Sequence, residues 1–329
     1  MTSDAEPVQS VHRELDAIRE ACERLGSVQD DAVRMFAQRV DALARAFSDS
    51  VVGPPLTNEI PLMAGELVYE WPCALVTGGG TGLGRGLALR LAAAGVDVWI
   101  AGRRRELLEE TRDIAGAEAG RVHPYPCDLR DPAACVELVE AVDGPAGAGI
   151  LVNNAAGTFT ALAEDVSPNG WHAVIDATLN APFYVTSAWA KRRIRDGAGG
   201  VVLNIASATT DGGSPGTVHS GAAKSGLISM TKTLAAEWAR FGIRVNALSP
   251  GPFETSGAAD WIWTDKAIRE RVVSAVPLGY IAPVDEVVDP ALFFLSKAAR
   301  YATGSVLKLD GGWTLTDWLY IRPNDQKTK

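Results

Sequence analysis

The sequence has few of the residues that build metal sites or disulfide frameworks. Among its 329 residues are 4 cysteines and 4 histidines, and no two cysteines have the CxxC spacing. The scattered positions support neither a disulfide-stabilised fold nor a zinc site. The cysteines are Cys22, Cys73, Cys127 and Cys135.

Long apolar runs and an excess of positive charge are also missing. The longest apolar runs are too short to span a bilayer, and the polar start, MTSDAEPVQS, is not that of a signal peptide. A formal net charge of -9 argues against nucleic acid or an anionic membrane as a partner. With 47% hydrophobic and 22% charged residues, the composition is globular. We expect a cytoplasmic protein.

Residues 1–65 differ in pattern from the rest of the chain. Their apolar positions recur every three or four residues, which predicts two amphipathic helices, and the proline-bearing stretch Ser48–Trp71 is typical of a linker. Two short helices bury little apolar surface alone. We therefore expect this extension to pack on its own domain or a twin subunit, or else to dock a different protein.

From Cys73 onward, short runs rich in Val, Ile and Leu alternate with amphipathic stretches such as Gly82–Ala94 and Gly221–Phe241. Alternating strands and helices predict a parallel sheet with both faces covered. The fold class is therefore α/β, with a Rossmann-type doubly wound parallel seven-stranded sheet over residues 66–329 and an N-terminal α-helical extension. The predicted strands are Ala74–Val76, Val96–Ala101, Val122–Tyr125, Ile150–Asn153, Val201–Ile205, Ile243–Ala247 and Ser305–Leu309.

A glycine-rich turn, LVTGGGTGLGRG, joins the first predicted strand to the first helix of this region. Residues without Cβ allow backbone N–H groups to approach a pyrophosphate at the helix N-terminus. The turn therefore predicts a dinucleotide site. Its candidate contacts are Thr77, Gly78, Thr81, Gly82, Leu83 and Gly84.

The second predicted strand ends in WIAGRRR, which bears on the choice of cofactor. Where NAD-binding proteins place an acidic residue, this chain has Gly102 and then Arg103. A guanidinium binds a 2′-phosphate in a two-pronged manner, whereas a carboxylate repels it. The pattern predicts NADP(H), with NAD(H) as the alternative, and Arg103 as the phosphate ligand. Arg85 is a candidate for a second charge. The alternative interpretation of the three arginines is a solvated helix start, which we expect for one of them.

These features together resemble the short-chain dehydrogenase/reductase family over nearly all of Trp71–Leu315. Further motifs carry the resemblance: CDLRD, NNAAG, the serine and lysine of the catalytic loop and helix, SPG, and DGG. The resemblance implies catalytic roles for Ser207 and Lys224. It implies further cofactor contacts at Asp128, Leu129, Asn154, Lys224, Pro250, Gly251 and Thr255.

One residue of the family pattern is absent. Four positions before Lys224, where a tyrosine is expected, stands Ser220, and Thr178 replaces an asparagine with Asn180 two residues later. The strings DATLNAPF, VHSGAAKSG and LAAEWARFGIRVNALSPGPFETSG look like those of 2,4-dienoyl-CoA reductases and trans-2-enoyl-CoA reductases. That branch implies NADPH-dependent reduction of a carbon–carbon double bond conjugated to a thioester, carried on CoA or on an acyl carrier protein.

The missing phenol suits this chemistry. Conjugate reduction develops negative charge on the thioester oxygen, which needs hydrogen-bond donors rather than a strong acid. Candidate donors are Ser220 and Asn180, with Lys224 orienting the nicotinamide ribose. The proton on carbon is expected from water or from a weak donor such as Ser207 or Thr209.

Alternatives remain open at this point. The two serines Ser207 and Ser220 have a structural interpretation as turn and helix caps. His219 is expected to be a wall of the pocket rather than the acid, because neighbours on a helix point apart. The chain as a whole has two alternative functions: a ketoreductase or alcohol dehydrogenase with an unusual proton donor, or a non-redox member serving as a cyclase or scaffold subunit.

Two further expectations concern the substrate lid and the assembly. The stretch Phe253–Val276, with Trp261 and Trp263, is predicted to close over an apolar acyl chain. The family resemblance implies a homodimer or homotetramer formed through two long helices, here near Trp171–Arg195 and Ser220–Phe241.

Overall fold

Seven parallel strands organise the chain. The computed structural model describes residues 67–142, 147–254 and 266–315, all of which belong to one compact unit, Glu66–Lys329. Within these ranges the sheet order is β3-β2-β1-β4-β5-β6-β7. The strands are β1 (Cys73–Thr77), β2 (Asp97–Gly102), β3 (Val122–Pro126), β4 (Ile150–Asn153), β5 (Gly200–Ile205), β6 (Ile243–Pro250) and β7 (Val306–Leu309).

Helices connect the strands and follow the same order. The α-helices are α1 (Gly82–Ala93), α2 (Arg105–Ile114), α3 (Pro132–Ala141), α4 (Pro168–Ile175), α5 (Ala181–Arg195), α6 (Val218–Trp238), α7 (Lys266–Ala275) and α8 (Asp285–Leu295). A π-helical turn, Asp176–Asn180, joins α4 to α5. Short 3-10 turns lie at Gly116–Arg121, Ala163–Asp165, Ala208–Thr210, Ala239–Phe241, Lys297–Ala299 and Trp313–Leu315.

Two apolar layers hold the helices against the sheet. In β1, Ala74 and Val76 pack on one face with residues of α1, α2 and α8. Cys73 and Leu75 pack on the other face with residues of α3, α5 and α6. Both faces are therefore buried, which explains why the strands appear in the sequence as nearly continuous apolar runs rather than as alternating ones.

The fold class predicted from the sequence is confirmed. Each predicted strand is present, and the largest boundary error is in β6, which continues to Pro250. The predicted helix Gly221–Phe241 begins earlier, at Val218, and its last turn is 3-10. The predicted extension, residues 1–65, and its boundary with the Rossmann domain lie outside the described residues. No helix of the described ranges is long and apolar enough to cross a membrane.

The strand order places a crevice at one edge of the sheet. β1 pairs with β2 on one side and with β4 on the other, so the connections after β1 and β4 leave in opposite directions. Such a switch point leaves an open crevice beyond the carboxyl ends of the strands. The turns that follow β1, β2, β3 and β4 all reach this edge, and they carry most of the predicted cofactor residues.

Candidate active site

A cleft of about 320 Å³ lies at the carboxyl ends of the strands. This volume is at the lower end of the range for small-molecule sites. Residues from six separate segments of the chain line it. They are Gly78, Gly80, Thr81, Gly82, Leu83, Gly102, Arg103, Arg104, Leu107, Leu108, Cys127, Asp128, Leu129, Arg130, Asn154, Ala155, Ala156, Ala177, Ala181 and Phe253.

The glycine turn after β1 requires glycine at particular places. Gly78 and Gly82 have φ angles of 67° and 53°, in the left-handed region that side chains disfavour. At Gly84 a Cβ atom would stand 2.3 Å from the Gly78 carbonyl oxygen. The turn can therefore place backbone close to a ligand only with these residues, and it leads directly into the N-terminus of α1.

Thr77 and Asn154 fasten the ends of β1 and β4 together. The Thr77 hydroxyl accepts the backbone N–H groups of Asn154 and Ala155, each at 3.0 Å. The Asn154 amide nitrogen donates to the carbonyls of Thr77 and Gly78, at 3.0 and 3.2 Å. Thr77 is buried and lies behind the cleft wall, so its observed contacts are within the protein, whereas Asn154 also lines the cleft.

Arg85 does not extend the cleft as the sequence suggested. Its guanidinium donates to the Gly80 carbonyl at 2.6 and 3.0 Å and pairs with Glu110 of α2 at 2.9 Å. The Thr111 hydroxyl donates to the Gly79 carbonyl at 3.1 Å on the same side. These contacts brace the glycine turn from outside, and the charge of Arg85 is already paired.

Positive charge enters the cleft elsewhere, from Arg103, Arg104 and Arg130. Arg103 and Arg104 are exposed, and neither forms an ion pair with any residue in the described ranges. Asp128 accepts hydrogen bonds from Arg130 on both carboxylate oxygens, at 2.9 Å or less for the nearest contacts, and this lowers the pKa of Asp128. Three guanidinium groups against one carboxylate leave the cleft suited to a polyanion.

The residues present fit an NADP-type dinucleotide. The glycine turn gives backbone N–H groups at a helix start for the pyrophosphate, and the unpaired Arg103 and Arg104 follow β2 where a 2′-phosphate would be bound. The predicted contacts Thr81, Leu83 and Leu129 line the same cleft. Phe253, the first residue of the predicted lid, also lines it, and so does Arg130, which was not predicted as a site residue. An Asp-x-Arg spacing in a turn was the available signal for Arg130.

Pro250 and Gly251 end β6 but do not line this cleft. A Cβ on Gly251 would stand 2.6 Å from the Asp310 Cα atom, and the Gly251 N–H donates to the Leu309 carbonyl at 2.8 Å. Glycine is thus required here for the close approach of the turn after β7. Thr255, Trp261 and Trp263 lie outside the described residues.

Lys224 lies on α6 and is not among the residues that line this cleft. Its side chain is 8% exposed, and its ammonium donates to the Ile205 carbonyl at the end of β5. Burial disfavours the charged form and lowers the pKa of Lys224 to about 8. The lysine is therefore held in place by backbone, with a protonation equilibrium close to neutral pH.

The hydroxyl of Ser220 is free among the described residues. It makes no cap bond to the start of α6, and it lies one helical turn before Lys224 on a shared helix face. Ser207 behaves differently: it accepts the Thr209 N–H at 3.3 Å and pairs with the Thr209 hydroxyl at 2.9 Å. The capping alternative therefore describes Ser207 and does not describe Ser220.

Asp211 follows the 3-10 turn Ala208–Thr210 and is bonded to a residue of another strand. Its carboxylate forms an ion pair with Lys308 of β7, and the Lys308 ammonium also donates to the Thr314 hydroxyl at 3.0 Å. This pair fixes the loop that follows β5. Thr210 of the same loop donates its hydroxyl to the Ser207 carbonyl at 2.9 Å.

Asn180 and Thr178 have distinct partners in the π-helical turn. The Asn180 amide donates to the Asp176 carboxylate at 2.7 Å. Thr178 forms two bonds with Gly157 of the NNAAG segment, accepting its N–H at 3.2 Å and donating to its carbonyl at 3.1 Å. Thr178 thus ties this turn to the end of β4. Such π-turns are frequent at functional sites because they redirect side chains. Asp176 and Thr178 were not predicted as site residues.

Comparison with known proteins agrees with this geometry. Residues 78–314 match a family described as enoyl-(acyl carrier protein) reductase. The chain is 38% identical to the Bacillus subtilis protein named "Probable 2,4-dienoyl-CoA reductase", (2E)-enoyl-CoA-producing, over 76% of this chain and 99% of the relative. It is 35% identical to the (3E)-enoyl-CoA-producing peroxisomal 2,4-dienoyl-CoA reductase of Pongo abelii, over 77% and 86%.

A solved structure adds the cofactor. A variant of actinorhodin polyketide ketoreductase with NADPH is 31% identical, with a TM-score of 0.68 over 73% of this chain and 96% of that one. The cofactor predicted from the sequence, NADP(H), is confirmed by such neighbours together with the cleft. The predicted family is confirmed as well.

The first prediction concerns Gly84. Replacing it by alanine should raise the Kd for NADPH by about tenfold or more, because the new Cβ meets a carbonyl oxygen that cannot move without shifting the turn. Isothermal titration calorimetry measures this. Gly120→Ala is the matched control, since nothing lies within 4 Å of that Cβ. Equal Kd values for the two variants would show that the turn tolerates a side chain.

The second prediction concerns Arg103. Arg103→Asp should raise the Kd for NADPH by about 100-fold while leaving the Kd for NADH within about threefold, because a phosphate partner becomes a repulsive charge. Arg105→Asp makes the same charge change two residues away, at a side chain paired with Glu109, and controls for the general field. An equal loss of NADH binding in Arg103→Asp would show that this residue does not contact the 2′-phosphate.

Proposed function

Since the chain belongs to the short-chain dehydrogenase/reductase family and is an NADP-dependent oxidoreductase, we propose that it reduces a carbon–carbon double bond conjugated to an acyl thioester. One observation carries the proposal. A serine, Ser220, stands in the tyrosine position with its hydroxyl free among the described residues, and no tyrosine lies between β5 and Lys224. The similarity to proteins named 2,4-dienoyl-CoA reductases supports the same substrate class.

The glycine turn, Arg103 and Asn154 would hold the cofactor, which would supply a hydride for the far end of the conjugated system. The chain's own residues then have two tasks: they stabilise the oxygen that gains charge, and they deliver a proton to a carbon.

Stabilisation of the oxygen falls to three groups. The Ser220 hydroxyl is free to donate. The Asn180 amide carries two N–H donors, of which Asp176 accepts one, so that a second remains for a ligand. Because a carboxylate only accepts, Asp176 also fixes which end of the amide is the donor. Lys224 adds positive charge when protonated. Removing one donor of this kind costs about 100- to 1000-fold in kcat in known cases.

Delivery of the proton falls to the hydroxyl pair of Ser207 and Thr209. The pair is 2.9 Å apart and either oxygen can donate. A dienolate accepts a proton at the carbon next to the thioester or two carbons further on, which gives different products. The Bacillus subtilis and Pongo abelii relatives are named for different products. The position of this hydroxyl pair relative to the substrate is therefore expected to select the carbon.

A ketoreductase is the second candidate, and the similarity to a polyketide ketoreductase favours it. Ketone reduction delivers a proton directly to oxygen, for which a serine hydroxyl alone is a poor acid. A non-redox role as a cyclase or scaffold is opposed by the intact cofactor cleft and the buried Lys224. The cytoplasmic location, the dimeric or tetrameric state and the acyl carrier protein stay predictions.

The third prediction is the substrate. NADPH consumption should be fastest with a 2,4-dienoyl-CoA or a trans-2-enoyl-CoA and should be at least about tenfold slower in kcat/KM with a 3-ketoacyl-CoA. Ser220→Ala should lower kcat by about 10- to 1000-fold on the preferred substrate. Ser229→Ala, on an exposed position of the same helix, is the control. A preference for the 3-ketoacyl-CoA would establish the ketoreductase instead, and mass spectrometry of the product identifies the carbon that is protonated.

The fourth prediction follows from the pKa of Lys224. The ammonium form predominates below pH 8 and is lost as the pH rises through about 8, since burial lowers the pKa from 10.5. The value of kcat/KM should therefore fall above about pH 8 in a one-proton step. Lys224→Arg, which stays charged over this range, should be less active but should lose the step. A wild-type profile that stays flat to pH 10 would show that the charge of Lys224 is not needed.

A further inference from the structure

His219 is a fully buried imidazole in the first turn of α6. Its Nδ1 atom accepts the backbone N–H of Ser220 at 2.7 Å. Its ring stands edge-on to Phe159, with the centroids 4.3 Å apart and the planes at 63°. The Nε2 atom has no hydrogen-bond partner among the described residues. A polar ring is thus kept in the core with half of its hydrogen-bonding capacity unused.

The hydrogen bonding at the start of α6 explains the role of the His219 Nδ1 atom. The first N–H groups of a helix lack partners within the helix, and the third is commonly satisfied by the side chain of the N-cap residue. The N-cap here is Thr217, and its side chain makes no such bond. Its hydroxyl is bonded to Ser214 instead, 2.5 Å from the hydroxyl and 3.2 Å from the carbonyl oxygen of that residue. Ser220 is the third residue of the helix. The His219 imidazole therefore accepts the N–H group that an N-cap side chain would otherwise accept.

Phe159 packs edge-on against the His219 imidazole. It belongs to the loop after β4, where the Ala161 N–H donates to the Gly216 carbonyl at 2.9 Å. The Phe159 ring in turn presses on Gly170 of α4, where a Cβ would stand 2.9 Å from the ring. An apolar side chain in place of His219 would fill the same space against Phe159. It would not accept the Ser220 N–H, which explains why a polar ring is retained.

We propose that His219 is a positioning residue, which fixes the peptide of Ser220 and thereby the direction of the Ser220 hydroxyl next to Lys224. The proposal rests on the donor role of Ser220 given above. Accepting at Nδ1 requires the neutral ring with its proton on Nε2. Burial lowers the pKa of His219 and so favours that form. Because Phe159 carries the contact to the loop after β4, the same residue also aligns that loop with α6.

Two near-isosteric variants separate the acceptor from the bulk. In His219→Asn the amide oxygen takes the place of Nδ1, whereas in His219→Gln the amide group extends to the place of Nε2. Hydrogen–deuterium exchange with mass spectrometry, resolved to the Ser220 amide in the NADPH-bound protein, needs no turnover. Asn should leave the exchange rate near that of the wild type, and Gln should raise it by about tenfold or more. Equal rates in all three proteins would overturn the proposal.

A second measurement links the contact to catalysis. His219→Gln should lower kcat by about tenfold with the Kd for NADPH unchanged, His219→Asn should restore most of it, and His219→Gln should cost little more in a Ser220→Ala background. Additive losses in that cycle would mean that His219 does not act through Ser220, which overturns the proposal. If no thioester is turned over at all, the proposed function fails, and the exchange rates still decide the role of His219 at the helix start.

Discussion

The site depends on the close approach of two strand ends where the sheet changes direction. The Thr77 hydroxyl accepts two N–H groups from the start of the loop after β4, and Asn154 returns two bonds to the end of β1. Buried backbone groups need partners, so this reciprocal pairing admits one arrangement. Gly84 allows α1 to begin directly against the junction. The cofactor cleft is the space that remains on the open side of it.

The substrate side has a different foundation. Lys224 is anchored by a single backbone carbonyl at the end of β5, and burial works against its charge. A lysine in this state responds to its surroundings, since any negative charge that develops nearby favours the ammonium form. In the loop after β5, Ser207 and Thr209 are bonded to each other, and Asp211 of the same loop forms an ion pair with Lys308. The cofactor side is therefore built on reciprocal hydrogen bonds between strand ends, whereas the substrate side depends on a lysine whose charge responds to its surroundings.

The sequence predicted the sheet, the glycine turn and the cofactor because these depend on local patterns: apolar runs, turn glycines and the residue after β2. It did not predict the partners of Arg85, because Glu110 is 25 residues away and belongs to another helix. The same holds for Thr178 with Gly157, which are 21 residues apart. Asn180 and Asp176 are only four residues apart, but the apolar periodicity of the sequence does not reveal the π-turn that contains them. His219 was expected to form a wall of the pocket. Its bond to Ser220 was not predicted, because the sequence does not show that the side chain of the N-cap residue, Thr217, makes no capping bond.

The absence of a tyrosine between β5 and Lys224 bears on the kind of reaction proposed for the site. Ketone reduction asks one group to bind an oxygen and to give that oxygen a proton, which a phenol does and a serine does poorly. Conjugate reduction separates the tasks, since the charged oxygen needs hydrogen bonds while the proton goes to carbon. The chain separates its hydroxyls in the same way, with Ser220 free on α6 and Ser207 paired with Thr209 beyond β5. The residue that is missing thus supports the conjugated thioester over the ketone as the substrate.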